Sequence, residues 1–90
     1  MSSCIFTGSF DPFTTGHMDI AKRAEKVFDK VYIAVLKNEF KATMFTMKQR
    51  EEIAKAAVLN LSNAEVICYD GMAVDIAKKL NVNAIIRGIR

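Results

Sequence analysis

Apolar residues gather in four short runs, separated by stretches in which they recur at helical spacing. Cys4-Ile5-Phe6-Thr7, Val31 to Leu36, Val66 to Tyr69 and Ala84 to Ile86 are compact and bounded by Gly, Asn, Asp or charged residues, the signature of short strands. Their apolarity is continuous rather than alternating, which predicts strands covered on both faces. Met18, Ala21, Ala24, Val27 and Phe28 fall on one stripe of a helix, as do Ile53, Ala57, Val58 and Leu61, and Met72 to Leu80 predicts a shorter third helix. Thr46-Met47-Lys48-Gln49 is a capping box, in which the Thr hydroxyl and the Gln side chain satisfy orphaned backbone donors reciprocally, so the second helix starts near Met47.

Strand and helix alternate along the chain, and connections of that kind are almost always right-handed crossovers between parallel strands. The expectation is one α/β domain of Rossmann type over residues 1–90, with helices on both faces of a parallel sheet. No Pro/Gly/Ser-rich linker, repeat or low-complexity segment interrupts it, and the only proline is Pro12. The one long irregular connection, Asn38 to Met44, carries Lys41.

Composition narrows the function classes. With 51% hydrophobic and 26% charged residues the chain is neither disordered nor collagen-like, and it can form a single core. A net charge of +3 suits an anionic ligand but is too slight to argue for nucleic acid. Cys4 and Cys68 stand alone in apolar segments without metal-ligand spacing, and both are expected to be reduced and buried. Neither a signal peptide nor a run of membrane-spanning length is present, so a cytoplasmic location is expected and no membrane partner. The Asn60-Leu61-Ser62 glycosylation match is then a chance one.

In open α/β sheets ligands bind beyond the carboxyl ends of the strands. The segments that follow strands one and four are therefore the informative ones: Gly8-Ser9-Phe10-Asp11-Pro12-Phe13-Thr14-Thr15-Gly16-His17 and Arg87-Gly88-Ile89-Arg90. If these loops converge on one switch point, strands one and four are neighbours and the sheet order is 3-2-1-4. The first segment is neither a GxGxxG fingerprint nor a P-loop, because its glycines are spaced differently and no Lys-Ser/Thr pair follows. It still has the makings of a phosphate site. Gly8 permits a tight turn, Ser9 offers a hydroxyl, and Thr14 or Thr15 caps a helix whose free amides attract an anion. His17 falls in that helix's first turn. Asp11 and Pro12 read as loop-shaping residues.

Gly8-Ser9-Phe10-Asp11-Pro12 followed by Thr14-Thr15-Gly16-His17 resembles the signature of the HxGH nucleotidyltransferase superfamily, with Thr14 where many members carry the first histidine. It looks most like the phosphopantetheine adenylyltransferase branch. Lys41 before Met44-Phe45-Thr46, the helix opening at Met47-Lys48-Gln49-Arg50, and Ile86-Arg87-Gly88-Ile89-Arg90 agree with it. Departures are few: Thr7 stands where a proline is common, Ser9 replaces a frequent threonine but keeps the hydroxyl, and Lys48-Gln49 replaces an acidic pair.

The resemblance implies adenylyl transfer from ATP to 4'-phosphopantetheine, giving dephospho-coenzyme A and pyrophosphate. His17 and Lys41 would be catalytic. Ser9, Phe10, His17, Gly88 and Arg90 would bind ATP, with His17 donating to the α-phosphate and Arg90 meeting the outer phosphates. Ser9, Lys41 and Arg87 would hold the acceptor phosphate, and Met72 and Ala73 the pantetheine arm. Mg²⁺ is implied with ATP, and a homo-oligomer, described for the family as a hexamer. Because members continue past this point with a further strand, helices and a serine-rich motif, the resemblance also leads us to expect a truncated domain with little activity by itself.

Other readings stay open on the residues alone. Lys41 can be an ordinary solvated loop charge, Arg87 and Arg90 a surface basic pair, and Met72 a helix-core residue. A nucleotidyltransferase for another phosphate acceptor is possible within the class, although Thr14 in place of histidine argues against nicotinamide mononucleotide or glycerol phosphate. A non-catalytic nucleotide- or phosphate-binding module would need the loop but not His17. A flavodoxin-like carrier has little support, since the chain has no tryptophan.

Overall fold

The computed structural model describes residues 2–37, 44–71 and 73–87, with residue 73 described for its backbone alone. Along these, β1 (Ser3–Gly8), α1 (Thr15–Val27), β2 (Lys30–Lys37), α2 (Met47–Ala57), β3 (Ala64–Asp70), α3 (Ala73–Leu80) and β4 (Ala84–Arg87) alternate. The four strands form one sheet in the order β3-β2-β1-β4, with every pairing parallel. The order expected from the two loops is thus the observed one, and each strand is longer than its apolar run by a residue or two at one end or both.

Side chains alternate between two cores across this sheet. Cys4, Phe6, Val31, Ile33 and Val35 turn to one face, where Ala21 and Ala24 of α1 and Ala54 of α2 cover them. Ile5 and Ala34 turn to the other, against Ala77, Ile76 and Leu80 of α3. The small residues at the helix contacts let α1 and α2 lie close on the strands.

Burial on both sides holds for the inner strands and not for the outer two. β1 and β2 are buried through their centres, whereas β3 and β4 have no fully buried residue. An edge strand has one neighbour, and a single helix covers the second face. Ile85 is 40% exposed and Val74 42%, on an open groove of about 510 Å³ between α3 and β4. The expectation that both cysteines are buried fails for the same reason: Cys4 on β1 is buried, while Cys68 on edge strand β3 is exposed.

The two rims of the sheet are built differently. At the amino ends of the strands, asparagines tie the connections: Asn63 Nδ2 donates to the Phe28 and Asp29 carbonyls, and Asn83 Oδ1 accepts from Ser3 N–H. At the carboxyl ends the ties are charged, and they converge on the segment after β1.

Candidate active site

Helix α1 begins with a reciprocal cap. Thr14 is the N-cap residue, and its Oγ1 accepts from His17 N–H at 3.4 Å. In return His17 Nδ1 accepts from the Thr14 backbone N–H at 2.9 Å. A backbone amide can only donate, so Nδ1 is the unprotonated nitrogen and the ring proton sits on Nε2. Burial pushes the His17 pKa below its ordinary value, which favours this neutral form. The outcome is an imidazole with its Nε2–H unpartnered among the described residues, on a helix end with no acidic residue in its first turn. The positive end of the helix dipole is left for an external anion.

Aromatic packing fixes the ring. His17 lies 5.0 Å from Phe10, 5.4 Å from Phe13 and 6.0 Å from Phe6, centroid to centroid. Phe6 belongs to β1 and to the core, so the histidine is braced directly against the sheet. Phe10, 3% exposed, sits edge-on to Phe6 at 5.1 Å. Its ring passes beneath Gly8, where an added Cβ would come within 3.3 Å of it. The glycine is needed for this close approach rather than for an unusual dihedral. Phe10 itself has φ 48°, a left-handed conformation costly for a bulky residue and held here by its ring contacts.

Beyond Phe10 the loop is fastened to the start of α2. Both carboxylate oxygens of Asp11 accept backbone amides, those of Met44 and Phe45, so Asp11 shapes the loop by bridging to a segment more than thirty residues away. Arg50, 3% exposed, donates to the carbonyls of Ser9 at 2.8 Å, Leu36 at 3.1 Å and Phe45 at 3.2 Å. Thr46 and Gln49 form the expected second capping box.

Register brings the last expected group to this rim. Thr7 of β1 pairs with Arg87 of β4, so an exposed guanidinium-bearing residue stands next to the strand that runs into Gly8 and Ser9. The structure therefore brings together Ser9, Phe10, His17 and Arg87 at the carboxyl ends of two adjacent strands. Lys41, Met72, Gly88 and Arg90 lie outside the described residues. Ala73 opens α3, after Gly71, whose φ of 137° suits only glycine.

Sequence reading missed Arg50 and the phenylalanine enclosure of His17. The signal for Arg50 was its spacing: it falls on the same helical stripe as Ala54, Ala57 and Val58, where a charge is out of place unless it has partners. No cluster of three or more acidic, His or Cys residues occurs among the described residues, and Asp11 is occupied by backbone amides.

Comparison with known proteins agrees with this geometry. A family model described as cytidylyltransferase-like matches residues 5–90. Proteins named phosphopantetheine adenylyltransferase are 47% identical in Campylobacter jejuni subsp. jejuni and 49% in Campylobacter concisus, each over 98% of this chain and 56% of that protein. One from Prochlorococcus marinus subsp. pastoris is 48% identical over 96% of the chain and 54% of its own length. The chain spans a little over half the length of these relatives. The lipopolysaccharide core biosynthesis protein of Thermoplasma volcanium shares the fold, with a TM-score of 0.65 at 17% identity over 100% of this chain and 98% of that one. By the matched family, the sheet order and the strand-end site together, the chain belongs to the cytidylyltransferase-like family.

Proposed function

We propose that this site transfers the adenylyl group of ATP to 4'-phosphopantetheine, releasing pyrophosphate and forming dephospho-coenzyme A. The observation that carries the reading is the neutral His17, locked with its proton on Nε2 at the open end of α1, which starts beyond β1, the strand whose Thr7 pairs with Arg87. The names of relatives 46–49% identical to it support the choice of substrates.

The acceptor phosphate is largely ionised near neutral pH and needs no general base, which accounts for a site without a catalytic carboxylate. The reaction instead needs two repelling anions aligned and the charge on the α-phosphoryl oxygens stabilised in an in-line transition state. Fixed donors do this without reorganising as charge develops. His17 Nε2–H would donate to the α-phosphate. The Ser9 hydroxyl, Phe10 N–H and the first amides of α1 add neutral donors, and Gly88 and Arg90 extend the contact to the outer phosphates. Arg87 and Lys41 would hold the acceptor phosphate, and Met72 and Ala73 would line the pantetheine arm. Mg²⁺ enters as part of the nucleotide. A cytoplasmic homo-oligomer without nucleic acid is the accompanying proposal, and no helix among the described residues is long and apolar enough to cross a membrane.

Incubation of the protein, extended to the full length of its relatives, with MgATP and 4'-phosphopantetheine, followed by detection of dephospho-coenzyme A and pyrophosphate, tests the reading. Binding of ATP without formation of either product would leave a nucleotide-binding module and refute transfer.

A further inference from the structure

Arg50 is a buried cation with no carboxylate partner among the described residues. The carboxylate next to it in sequence, Glu51, is engaged by Lys55 at 3.1 Å. Burying a guanidinium in this way is expensive, and it persists only where fixed acceptors replace water. Those acceptors are three backbone carbonyls from three separate segments: Ser9 after β1, Leu36 in β2 and Phe45 before α2. Met47 Sδ at 3.5 Å is the only other partner among the described residues. A planar fork can span such a set, whereas the single ammonium of lysine cannot.

The Ser9 carbonyl is the telling member. The Ser9–Phe10 peptide is trans, so its carbonyl and the following N–H point in opposite directions. We infer that Arg50 is a positioning residue for the phosphate loop: by drawing the Ser9 carbonyl toward α2, it turns the Phe10 N–H away from α2 and out at the carboxyl end of β1, as a donor for a phosphate oxygen. Phe10 is then locked in its left-handed conformation from two sides, by its ring under Gly8 and by its preceding peptide on Arg50. The Phe10 N–H has no partner among the described residues, as this role requires. Asp11, holding the amides of Met44 and Phe45, keeps the Phe45 carbonyl where Arg50 can reach it.

The catalytic consequence rests on the adenylyl-transfer reading, but the orientation of the amide does not, and one set of measurements separates them. In the ¹⁵N-labelled ninety-residue chain, the Phe10 amide should exchange readily with water and shift when inorganic pyrophosphate is added. Arg50→Lys should move the Phe10 HN–Hα coupling away from its original value and weaken pyrophosphate binding about tenfold or more, the loss expected for one misplaced donor to a charged group.

A merely structural role predicts a lower melting temperature but, below it, an unchanged Phe10 coupling and unchanged pyrophosphate affinity. That result overturns the proposal. So does a Phe10 amide in the unsubstituted chain that is protected from exchange and indifferent to pyrophosphate, an arm that needs no variant to fold. If the Phe10 results are as expected and the protein extended to the full length of its relatives forms no dephospho-coenzyme A, the positioning role stands and the adenylyl-transfer reading falls.

Discussion

Replacing His17 by glutamine should separate its two roles, because the fold already contains the replacement. In α2 the residue at the same helical position is Gln49, whose Oε1 accepts from Thr46 N–H at 3.0 Å while its own N–H donates to Thr46 Oγ1 at 3.1 Å. His17 and Thr14 form the same reciprocal pair at α1. His17→Gln should therefore keep the cap and lose the imidazole; His17→Ala should lose both. The exposed cap bond contributes about 0.5–1 kcal/mol, and the aromatic packing against Phe6, Phe10 and Phe13 about another 1 kcal/mol. His17→Ala should then cost about 1.5–2 kcal/mol in urea denaturation, with the glutamine variant recovering the cap's share. In turnover the two variants should be alike. Loss of one donor aimed at developing charge lowers kcat by about 10²–10³, or about 2.7–4 kcal/mol, with little change in ATP binding. Wild-type kcat in His17→Gln would reduce His17 to a cap residue. Equal stability of the two variants would show that the reciprocal bond contributes nothing, and with it the basis for assigning the ring proton to Nε2.

The division of the site predicts that Lys41→Ala and Arg87→Ala raise the KM for 4'-phosphopantetheine about tenfold or more, and Arg90→Ala that for ATP; steady-state kinetics in which all three change only the ATP constant would refute the division. Because burial lowers the His17 pKa, the unfolded chain takes up a proton first as pH falls. The stability owed to the neutral ring is then complete above pH ~6.5 and is lost as the pH drops toward the folded-state value. Urea midpoints between about pH 8 and 5 should show this slope, and His17→Gln should abolish it; equal slopes in both would count against the half-buried neutral histidine. Burial raises the Cys4 thiol to about 11, and burial followed by the charge of Glu51 raises that of Cys68. Iodoacetamide should therefore label Cys68 alone in the folded chain, slowly and faster with rising pH, and mass spectrometry showing label on Cys4 would contradict the core described here.

How far the sequence could be read depended on whether a feature was local. Strand runs and capping boxes are set by neighbours a few residues apart, and Thr46 with Gln49 and Met47 as first helical residue emerged as the spacing said. The sheet order was legible for a different reason: two segments, at Gly8 and at Arg87, were unfit to be plain connectors, and one switch point had to serve both. Cys68 could not be read, since an apolar run looks the same on an inner strand and on an edge, and only the tertiary neighbours decide. Arg50 was in view as part of a helix opening, but next to a capping box a basic residue reads as solvated. Its partners are three carbonyls contributed by distant segments, and backbone groups leave no mark in a sequence.

The site draws its rigidity from the core rather than from the loop that carries it. A phosphate loop of small and polar residues would be mobile unless tied down. Here the tie runs through hydrophobic packing: Phe6 is fully buried in β1, Phe10 stands against Phe6, and His17 stands against both. Gly8 is the space that lets Phe10 in. A change in the volume of the Phe6 side chain would therefore reach the imidazole through one intermediate ring, with no polar contact altered. Phe6→Leu should cost about 1–2 kcal/mol of stability as an ordinary core substitution. If the enclosure sets the position of His17, it should also lower kcat at temperatures where the chain is fully folded, because a misplacement of about 1 Å can cost on the order of 10²-fold in rate. A Phe6→Leu variant that is destabilised yet turns over normally when folded would mean that the cap on Thr14 positions the histidine without help from the rings.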